Sequence, residues 1–357
     1  MKNNTYSPLP TPHSPLPNLE NTVAAVLEQY PAGVYLAAVS GGADSTAMLA
    51  ALAAVRGAAD LRCIHIEHGI RPAAESQGDA AFVRSLCEKL QIPCRVVSIA
   101  PGKIAAAASR GIGIEAAARQ YRRRAWFREA ARLKVEGRAP VRVLTAHTAD
   151  DMLENVLMGL LRGAGPSGLA AMPASRGRIL RPLIALSRRD VLDYLSEKNI
   201  PWREDSTNTD IHFLRNRVRR CLVPLLEESF PPWRRGIAAL AQTQSLVADF
   251  IQGEAASRVQ WQPAPQSLYT DTGTFFAQPP IIREEALFQG IDKLLPAASA
   301  FKHTASHTIK RKNIRRFCKG GITAIDLGSL RLTKDSHRIT ISIFSDPRSR
   351  NRLSTID

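Results

Sequence analysis

Short apolar segments alternate with longer mixed segments through the first half of the chain. Four of the apolar segments are GVYLAAV (residues 33–39), LRCIHI (61–66), CRVVSI (94–99) and VRVLTA (141–146). Their nearly continuous apolar character, without strict alternation, is typical of strands that are buried on both faces of a sheet. We therefore predict four buried strands.

The segments between these strands have the lengths and patterns of helices. Residues 46–55 are apolar on nearly every face, and residues 75–90, 114–135 and 151–162 are also predicted to be helical. Strands that alternate with helices predict a parallel, doubly wound sheet, so the predicted fold class is α/β. Ligands on such sheets bind beyond the carboxyl ends of the strands. The residues expected at those ends are Ser40, His65, His68 and His147.

The second half of the chain contains the predicted domain boundary. Ser187 and Asp190 have the spacing of a capping box, which predicts the start of a helix. The polar, turn-rich residues 203–212 precede a boundary that we place near residue 220. Apolar residues alternate on both sides of the turn TKDS (333–336), which predicts a hairpin in a smaller mixed α+β domain. The predicted segments are a disordered Pro-rich leader (1–18), a first domain (19–220), a second domain (221–345) and a basic tail (346–357).

The composition favours a basic protein with two domains. At 357 residues the chain exceeds the ~250–300 residues at which one core stops growing. Its 48 Lys and Arg against 32 Asp and Glu give a formal charge of +16, which favours a polyanionic partner over solubility alone. Five cysteines without CxxC spacing argue against a disulfide framework or a zinc ribbon. No segment resembles a signal peptide or a transmembrane helix, so we expect a cytoplasmic protein that does not enter membranes.

The segment SGGADS (residues 40–45) connects the first predicted strand to the first predicted helix. Glycines let the backbone approach a phosphate closely, and the amides at a helix start attract anions. The chain contains no GxxxxGK[ST] sequence, which argues against a Walker A loop and transfer of a γ-phosphate. Asp44 supplies a carboxylate of the kind that Mg²⁺ prefers. The alternative interpretation is a glycine turn followed by a helix cap.

SGGADS resembles the SGGxDS signature of the PP-loop ATP pyrophosphatases. The resemblance implies that the loop binds the pyrophosphate part of ATP while a substrate oxygen attacks the α-phosphorus. It implies ATP and Mg²⁺ as cofactors, with Asp44 binding Mg²⁺ together with the ATP phosphates. The implied ATP-binding residues are Ser40, Gly41, Gly42, Ala43, Asp44 and Ser45.

Four further blocks resemble the successive signatures of the tRNA(Ile)-lysidine synthetase family. They are HIEHGIR (65–71), GIEAAARQYRRRAWF (113–127), AHTADDMLENVLMGLLRGAGPSGLAAM (146–172) and FLRNRVRRCLVPLLE (213–227). The resemblance implies ligation of L-lysine to C2 of the wobble cytidine of tRNA(Ile) with a CAU anticodon, through an adenylated tRNA intermediate. The products would be lysidine, AMP and pyrophosphate, and codon reading would change from AUG to AUA. The first domain would then be catalytic and the second would bind tRNA.

The resemblance also provides candidate catalytic residues. Asp151 and Glu154 are three apart on a predicted helix, so they share one face and would bind the ammonium group of lysine, which must lose a proton before attack. A capping box formed by Thr148 and Asp151 is the alternative for this acidic cluster. Arg119 would contact ATP phosphate or RNA, while a solvated face with salt bridges is the alternative for Arg123, Arg124 and Arg128 on the same helix. The catalytic candidates are Asp44, Arg119, Asp151 and Glu154.

Two basic clusters are candidates for binding tRNA phosphates. One is FLRNRVRR, with four arginines, and the other is KRKNIRRFCK (310–319). For the second cluster, a solubilising helix face is the alternative. A homodimer is compatible with the sequence, which does not fix the oligomeric state. The candidate tRNA-binding residues are Arg215, Arg217, Arg219, Arg220, Lys310, Arg311 and Lys312.

Three rival interpretations stay open at this point. A zinc site could be formed by His65, His68 and His147. A PP-loop thiolase is a second rival, although the absence of CxxC counts against it. The third is an RNA-binding protein that keeps the fold without the activity. The departures from the lysidine synthetase pattern, which affect substrate contacts more than the reaction, are at Glu67, Thr148, Met152 and Asn155.

Overall fold

The computed structural model describes residues 19–70, 73–109, 113–204, 213–294, 309, 311–327 and 330–343. The predictions for the leader, for the basic tail and for Lys310 lie outside these residues. The chain divides into two compact units, Met1–Ser245 and Leu246–Asp357. Each unit contains its own cluster of buried apolar side chains.

The first unit alternates strands and helices in the predicted order, and each of the four predicted strands is present. Elements with weaker sequence patterns, among them the first helix and two very short strands, were not predicted. In chain order the elements are α1 Leu19–Gln29, β1 Val34–Ala38, α2 Ala43–Arg56, β2 Leu61–Glu67, α3 Ala73–Lys89, β3 Cys94–Ser98, α4 Lys103–Ala107, α5 Ile114–Val135, β4 Val141–Leu144, α6 Ala149–Leu161, α7 Pro166–Leu169, β5 Ser175–Arg176, β6 Ile179–Leu180, α8 Arg188–Glu197, α9 Leu214–Arg217, a π-helical turn Val218–Leu222, α10 Val223–Ser229 and α11 Trp233–Arg258, which continues past Ser245.

The strands of the first unit form one sheet in the order β3-β2-β1-β4-β6-β5. The pairs from β3 to β6 are parallel, for example Ala37 beside Cys63 and Leu36 beside Val143. Only the short edge strand β5 is antiparallel to its neighbour. The predicted α/β class with a parallel sheet is therefore confirmed, with one antiparallel edge that the sequence did not indicate.

Helices cover both faces of this sheet. Along β1, Tyr35 and Ala37 belong to one buried cluster, which also contains residues of α1, α2 and α8. Val34 and Leu36 belong to a second cluster, which contains residues of α4 and α5. Because successive side chains of a strand point to opposite faces, these two clusters lie on the two sides of the sheet. This is the doubly wound arrangement that the continuous apolar strands predict.

The division between the units falls later than the predicted boundary near residue 220. Val218, Trp233 and Ala241 are buried in a cluster with Met152 and Val156 of α6. These contacts attach the residues after 220 to the first unit. The π-helical turn in this region immediately precedes Val223 and Pro224. Since proline has no amide hydrogen to donate and its ring crowds the preceding turn, a wider turn at this position has a local cause.

The second unit is a smaller mixed α+β unit, as predicted. After α11, its elements are β7 Gln262–Ala264, β8 Ser267–Asp271, α12 Thr272–Phe276, α13 Pro280–Leu294, α14 Arg311–Cys318, β9 Ala324–Leu327, β10 Leu330–Lys334 and β11 Arg338–Ile343. The strands form an antiparallel sheet in the order β7-β8-β11-β10-β9, which includes the predicted hairpin, in which Leu332 is paired with Ile341. None of the helices in the described part of the chain has both the length and the apolar character of a membrane span.

Candidate active site at the carboxyl ends of the strands

The strand order reverses its direction between β1 and β4. From β1 the chain proceeds to β2 and β3 on one side, whereas β4 lies on the other side of β1 and leads to β6. In open α/β sheets the crevice at such a switch point is the usual ligand site. The segment SGGADS (40–45), here called the glycine loop, follows β1, and the acidic start of α6 follows β4. The fold therefore brings these two sequence-predicted segments to the same crevice.

Hydrogen bonds within the glycine loop fix its conformation. The Ser45 hydroxyl accepts from the amides of Ser40 and Gly41, at 3.1 and 3.2 Å, and donates to the carbonyl of Gly42 at 3.1 Å. Gly41 has a φ of 94°, a conformation that favours glycine. Gly42 is the N-cap of α2 and offers no side chain to the helix amides. The first amides of α2 are therefore left for an anion.

Asp44 occupies the first turn of α2 with one carboxylate oxygen paired and the other unpaired. Its Oδ2 accepts a hydrogen bond from Nη1 of Arg188 at 2.9 Å. Its Oδ1 is buried and has no hydrogen-bond partner among the described residues. Burial raises the pKa of Asp44, the positive charge of Arg188 opposes this, and the negative charges of Asp151 and Asp150 add to it. An unpaired carboxylate oxygen near further carboxylates is a donor set that fits Mg²⁺.

Arg188 is a site residue that the sequence analysis missed. Besides its contact with Asp44, its backbone amide donates to Asp150 Oδ2 at 2.7 Å. The other oxygen of Asp150 accepts from Arg234 at 2.8 Å. Arg188 is the first residue of α8, directly after the predicted capping box of Ser187 and Asp190, which the structure contains. That capping box fixes the start of α8, but no local pattern reveals that this residue meets the glycine loop.

Asp151 and Glu154 lie together on α6 and are bound by two arginines. Arg215 donates from Nη2 to Asp151 and from Nε to Glu154, both at 2.8 Å. Arg219 donates to both oxygens of Glu154, at 2.6 and 3.1 Å. The Glu154 side chain is only 4% exposed. Asp151 also completes the capping box with Thr148, so the capping alternative and the shared acidic face are both present.

These contacts divide the arginines that the sequence grouped as tRNA-binding candidates. Arg215 and Arg219 face the carboxylates of α6, whereas Arg217 and Arg220 have exposed side chains. Within a helical segment, residues two apart point in different directions, so one basic cluster supplies both sets. The spacing along the helix predicts that these arginines point in different directions. It does not predict which of them pair with Glu154, because that depends on the tertiary fold.

His147 lies close enough to Asp151 and to several arginines for their charges to affect it. Its Nδ1 is 3.0 Å from the Thr145 hydroxyl. Burial lowers the pKa of His147 to about 4; the negative charge of Asp151 opposes this shift, and the positive charges of Arg181, Arg119 and Arg215 add to it. The imidazole is therefore neutral at physiological pH. Burial lowers the pKa of Arg119, while the negative charges of Glu115 and Asp151 oppose this shift, so Arg119 lies within electrostatic range of Asp151.

The histidines do not form the metal site that was considered from the sequence. His65 is buried, with Nδ1 at 2.9 Å from the carbonyl of Val39. In the described part of the chain, no group of three side chains able to surround a metal ion includes a histidine. The zinc interpretation of His65, His68 and His147 is therefore wrong.

A parallel sheet with a glycine loop at its switch point defines a nucleotide-binding α/β protein. The family model described as the PP-loop domain matches residues 15–226, and the chain belongs to this family. Among solved structures, the U34-tRNA thiolase NcsA from Methanococcus maripaludis, with its 4Fe-4S cluster, has a TM-score of 0.50 and 17% identity. The match covers 65% of this chain and 78% of that one, and it reflects the fold.

Curated relatives share more of the sequence. A tRNA(Ile)-lysidine synthase from Treponema denticola is 40% identical over 230 residues, which are 63% of this chain and 49% of the relative. A tRNA(Ile)-lysidine synthase from Solibacter usitatus is 34% identical over 296 residues, which are 81% of this chain and 58% of the relative. The chain spans about half the length of the curated relatives it matches.

Proposed function

We propose that this protein is an ATP-dependent ligase that attaches L-lysine to C2 of the wobble cytidine of tRNA(Ile) with a CAU anticodon. The observation that carries the proposal is the 34–40% identity to tRNA(Ile)-lysidine synthases, together with the match of the PP-loop domain to residues 15–226, which include the glycine loop and the acidic pair. The adenylated tRNA, the use of Mg²⁺ and the change from AUG to AUA reading are parts of the same proposal. The charge of +16 suits a polyanionic substrate.

In the first half-reaction, O2 of the cytidine attacks the α-phosphorus of ATP and pyrophosphate leaves. The glycine loop would bind the pyrophosphate part through the first amides of α2. Asp44 would bind Mg²⁺ through its unpaired Oδ1, and the ion when bound would balance the phosphate charge. Arg188 would keep Asp44 in position through the other oxygen. Arg119 would add positive charge near the developing negative charge.

In the second half-reaction, the lysine amine attacks C2 of the cytidine and AMP leaves. Asp151 and Glu154 would bind the ammonium group by charge-assisted hydrogen bonds, and one of them or a water would accept its proton. Arg215 already bridges these carboxylates. We therefore propose that Arg215 turns toward a phosphate of ATP or tRNA, which leaves carboxylate oxygens for lysine. Binding of the first two substrates would then prepare the site for the third.

Nucleoside mass spectrometry of tRNA(Ile) tests this function. The transcript is incubated with the protein, ATP, Mg²⁺ and lysine, digested, and compared with reactions that lack each component. Lysidine should form only in the complete reaction, with one pyrophosphate released per lysidine. A sulfur-containing base in reactions supplied with a sulfur donor would identify a thiolase instead. tRNA binding without pyrophosphate release would identify a binding protein.

A further inference from the structure

Three cysteines that are far apart in sequence meet beside the parallel sheet. Cys63 lies in β2, Cys94 begins β3, and the two are register partners on adjacent strands. Cys87 lies near the end of α3, which packs against these strands. The three sulfur atoms all lie within 4.8 Å of one another. No CxxC spacing indicates this cluster, here called the cysteine triad, because strand register and helix packing create it.

The cysteine triad is buried except at one side. Cys63 and Cys87 are buried, whereas Cys94 is partly exposed. The thiolate is the form of cysteine that binds metal ions. The partly exposed side of Cys94 provides a route from solvent.

We propose that Cys63, Cys87 and Cys94 form a binding site for a thiophilic divalent cation of the zinc class. Zn–S bonds of ~2.3 Å in tetrahedral geometry place sulfur atoms about 3.8 Å apart, so the triad needs only a small contraction. Binding replaces three thiol protons, which are released to solvent. The resulting site has a net charge of −1, next to the positive charge of Arg84. A water on the exposed side of Cys94 completes the tetrahedron.

The cysteine triad is separate from the residues assigned to ATP and lysine. His65 lies two residues after Cys63 on β2, and its Nδ1 is 2.9 Å from the carbonyl of Val39, next to the glycine loop. A metal ion that joins β2, β3 and α3 would therefore stabilise the strand that supports His65. Since such an ion binds the folded chain and not the unfolded ensemble of separated cysteines, it should raise the unfolding temperature.

Cadmium is the probe for the test, because thiolate ligands give it an ultraviolet charge-transfer band. The full reduced chain is titrated with Cd²⁺, and the same titration is run on Cys94→Ser and on the control Cys221→Ser, which removes an exposed cysteine outside the triad. Wild type and Cys221→Ser should bind one Cd²⁺ with the band and with a higher unfolding temperature. Replacing a residue that only orients a metal ligand weakens binding by about 10–100-fold, so loss of a ligand itself in Cys94→Ser should weaken binding by more than ~100-fold.

Zn²⁺ should then displace Cd²⁺ and remove the band from the wild-type protein. Cys94 is chosen because its partial exposure makes a serine tolerable, and the unfolding temperature without metal checks that Cys94→Ser is folded. A band that disappears in Cys221→Ser and persists in Cys94→Ser would overturn the proposal. So would the absence of any band in the wild-type protein, or a band that Zn²⁺ leaves unchanged. The three cysteines would then be apolar packing residues.

Discussion

At the residue scale, Asp44 has one buried carboxylate oxygen without a hydrogen-bond partner among the described residues, and a second oxygen that accepts a hydrogen bond from Arg188. We predict that Asp44→Asn lowers pyrophosphate release by at least about a hundredfold, since loss of a metal ligand removes several kcal/mol of transition-state stabilisation. Asparagine keeps the size of the side chain, so the unfolding temperature should change little. The measurement is pyrophosphate release with tRNA(Ile) across a range of Mg²⁺ concentrations. A variant with the rate and Mg²⁺ dependence of wild type would show that Asp44 is not a metal ligand.

His147 provides a prediction of pH dependence. Its pKa is about 4 in the folded protein, against 6.5 for an ordinary histidine, and burial is the main cause. Between these two values the unfolded chain binds a proton that the folded chain does not, so His147 reduces stability as the pH falls through this window. We predict that the stability of His147→Gln falls less steeply than that of wild type from pH 6.5 to pH 4. Denaturant unfolding of both proteins measures this, and parallel stability curves would contradict an imidazole that stays neutral in the folded protein.

At the scale of elements, the acidic face of α6 is joined to the segment formed by α9 and the π-helical turn. Glu154 is buried, and both of its arginine partners come from that segment. We predict that Glu154→Gln accumulates adenylated tRNA and raises the lysine concentration required for turnover by about 10-fold or more, because a charge-assisted hydrogen bond contributes ~1.5–3 kcal/mol. The measurement is adenylated cytidine in digested tRNA, with lysine withheld and supplied.

Glu228→Gln is the matched control for Glu154→Gln, since it removes the same charge at an exposed position, on α10. This control should leave the lysine requirement unchanged. Equal loss of intermediate and product in Glu154→Gln, with an unchanged unfolding temperature, would move Glu154 to the ATP half-reaction. Normal turnover would leave it a structural role as the partner of Arg215 and Arg219.

The sequence predicted the elements better than the contacts between them. The strand around Leu36 and the capping box of Ser187 are local signals, because burial on both faces and helix starts depend on neighbouring residues. The contact between Asp44 and Arg188 joins residues 144 apart, and the contact between Glu154 and Arg215 joins residues 61 apart. Both depend on how α6, α8 and α9 pack, which no periodicity reveals. The candidate residues were therefore predictable, but their partners were not.

At the scale of the whole molecule, the excess positive charge is carried by separate elements of the two units. In the first unit, Arg217 and Arg220 have exposed side chains. In the second unit, α14 buries Ile314, Phe317 and Cys318 and exposes its basic residues. This helix is therefore attached to its unit by one face and presents a basic face to solvent. Such a face suits the phosphates of a folded RNA, which position a substrate without reading its sequence.

Not all basic residues of α14 are equally suited to test RNA binding. Arg311 lies over the ring of Phe288 at 5.4 Å, and Arg315 pairs with Glu284 at 3.1 Å, so their replacement would also disturb packing. Lys312 and Arg316 are exposed on the same helix. We predict that Lys312→Ala with Arg316→Ala weakens tRNA binding and lowers the slope of log K against log salt by ~0.7–0.9 for each phosphate that the variant no longer binds. The measurement is tRNA(Ile) affinity at several salt concentrations.

The matched control for these two substitutions removes the same charge elsewhere. Lys89→Ala with Lys134→Ala changes two exposed lysines on α3 and α5, outside the basic clusters. If tRNA affinity depended only on the net charge of the protein, both double variants would change the affinity by similar amounts, because each lowers the net charge by two. If α14 contacts phosphates directly, Lys312→Ala with Arg316→Ala should lose more affinity than the control, and only this variant should show a lower salt slope. Equal slopes in the two double variants would leave α14 as a solubilising face.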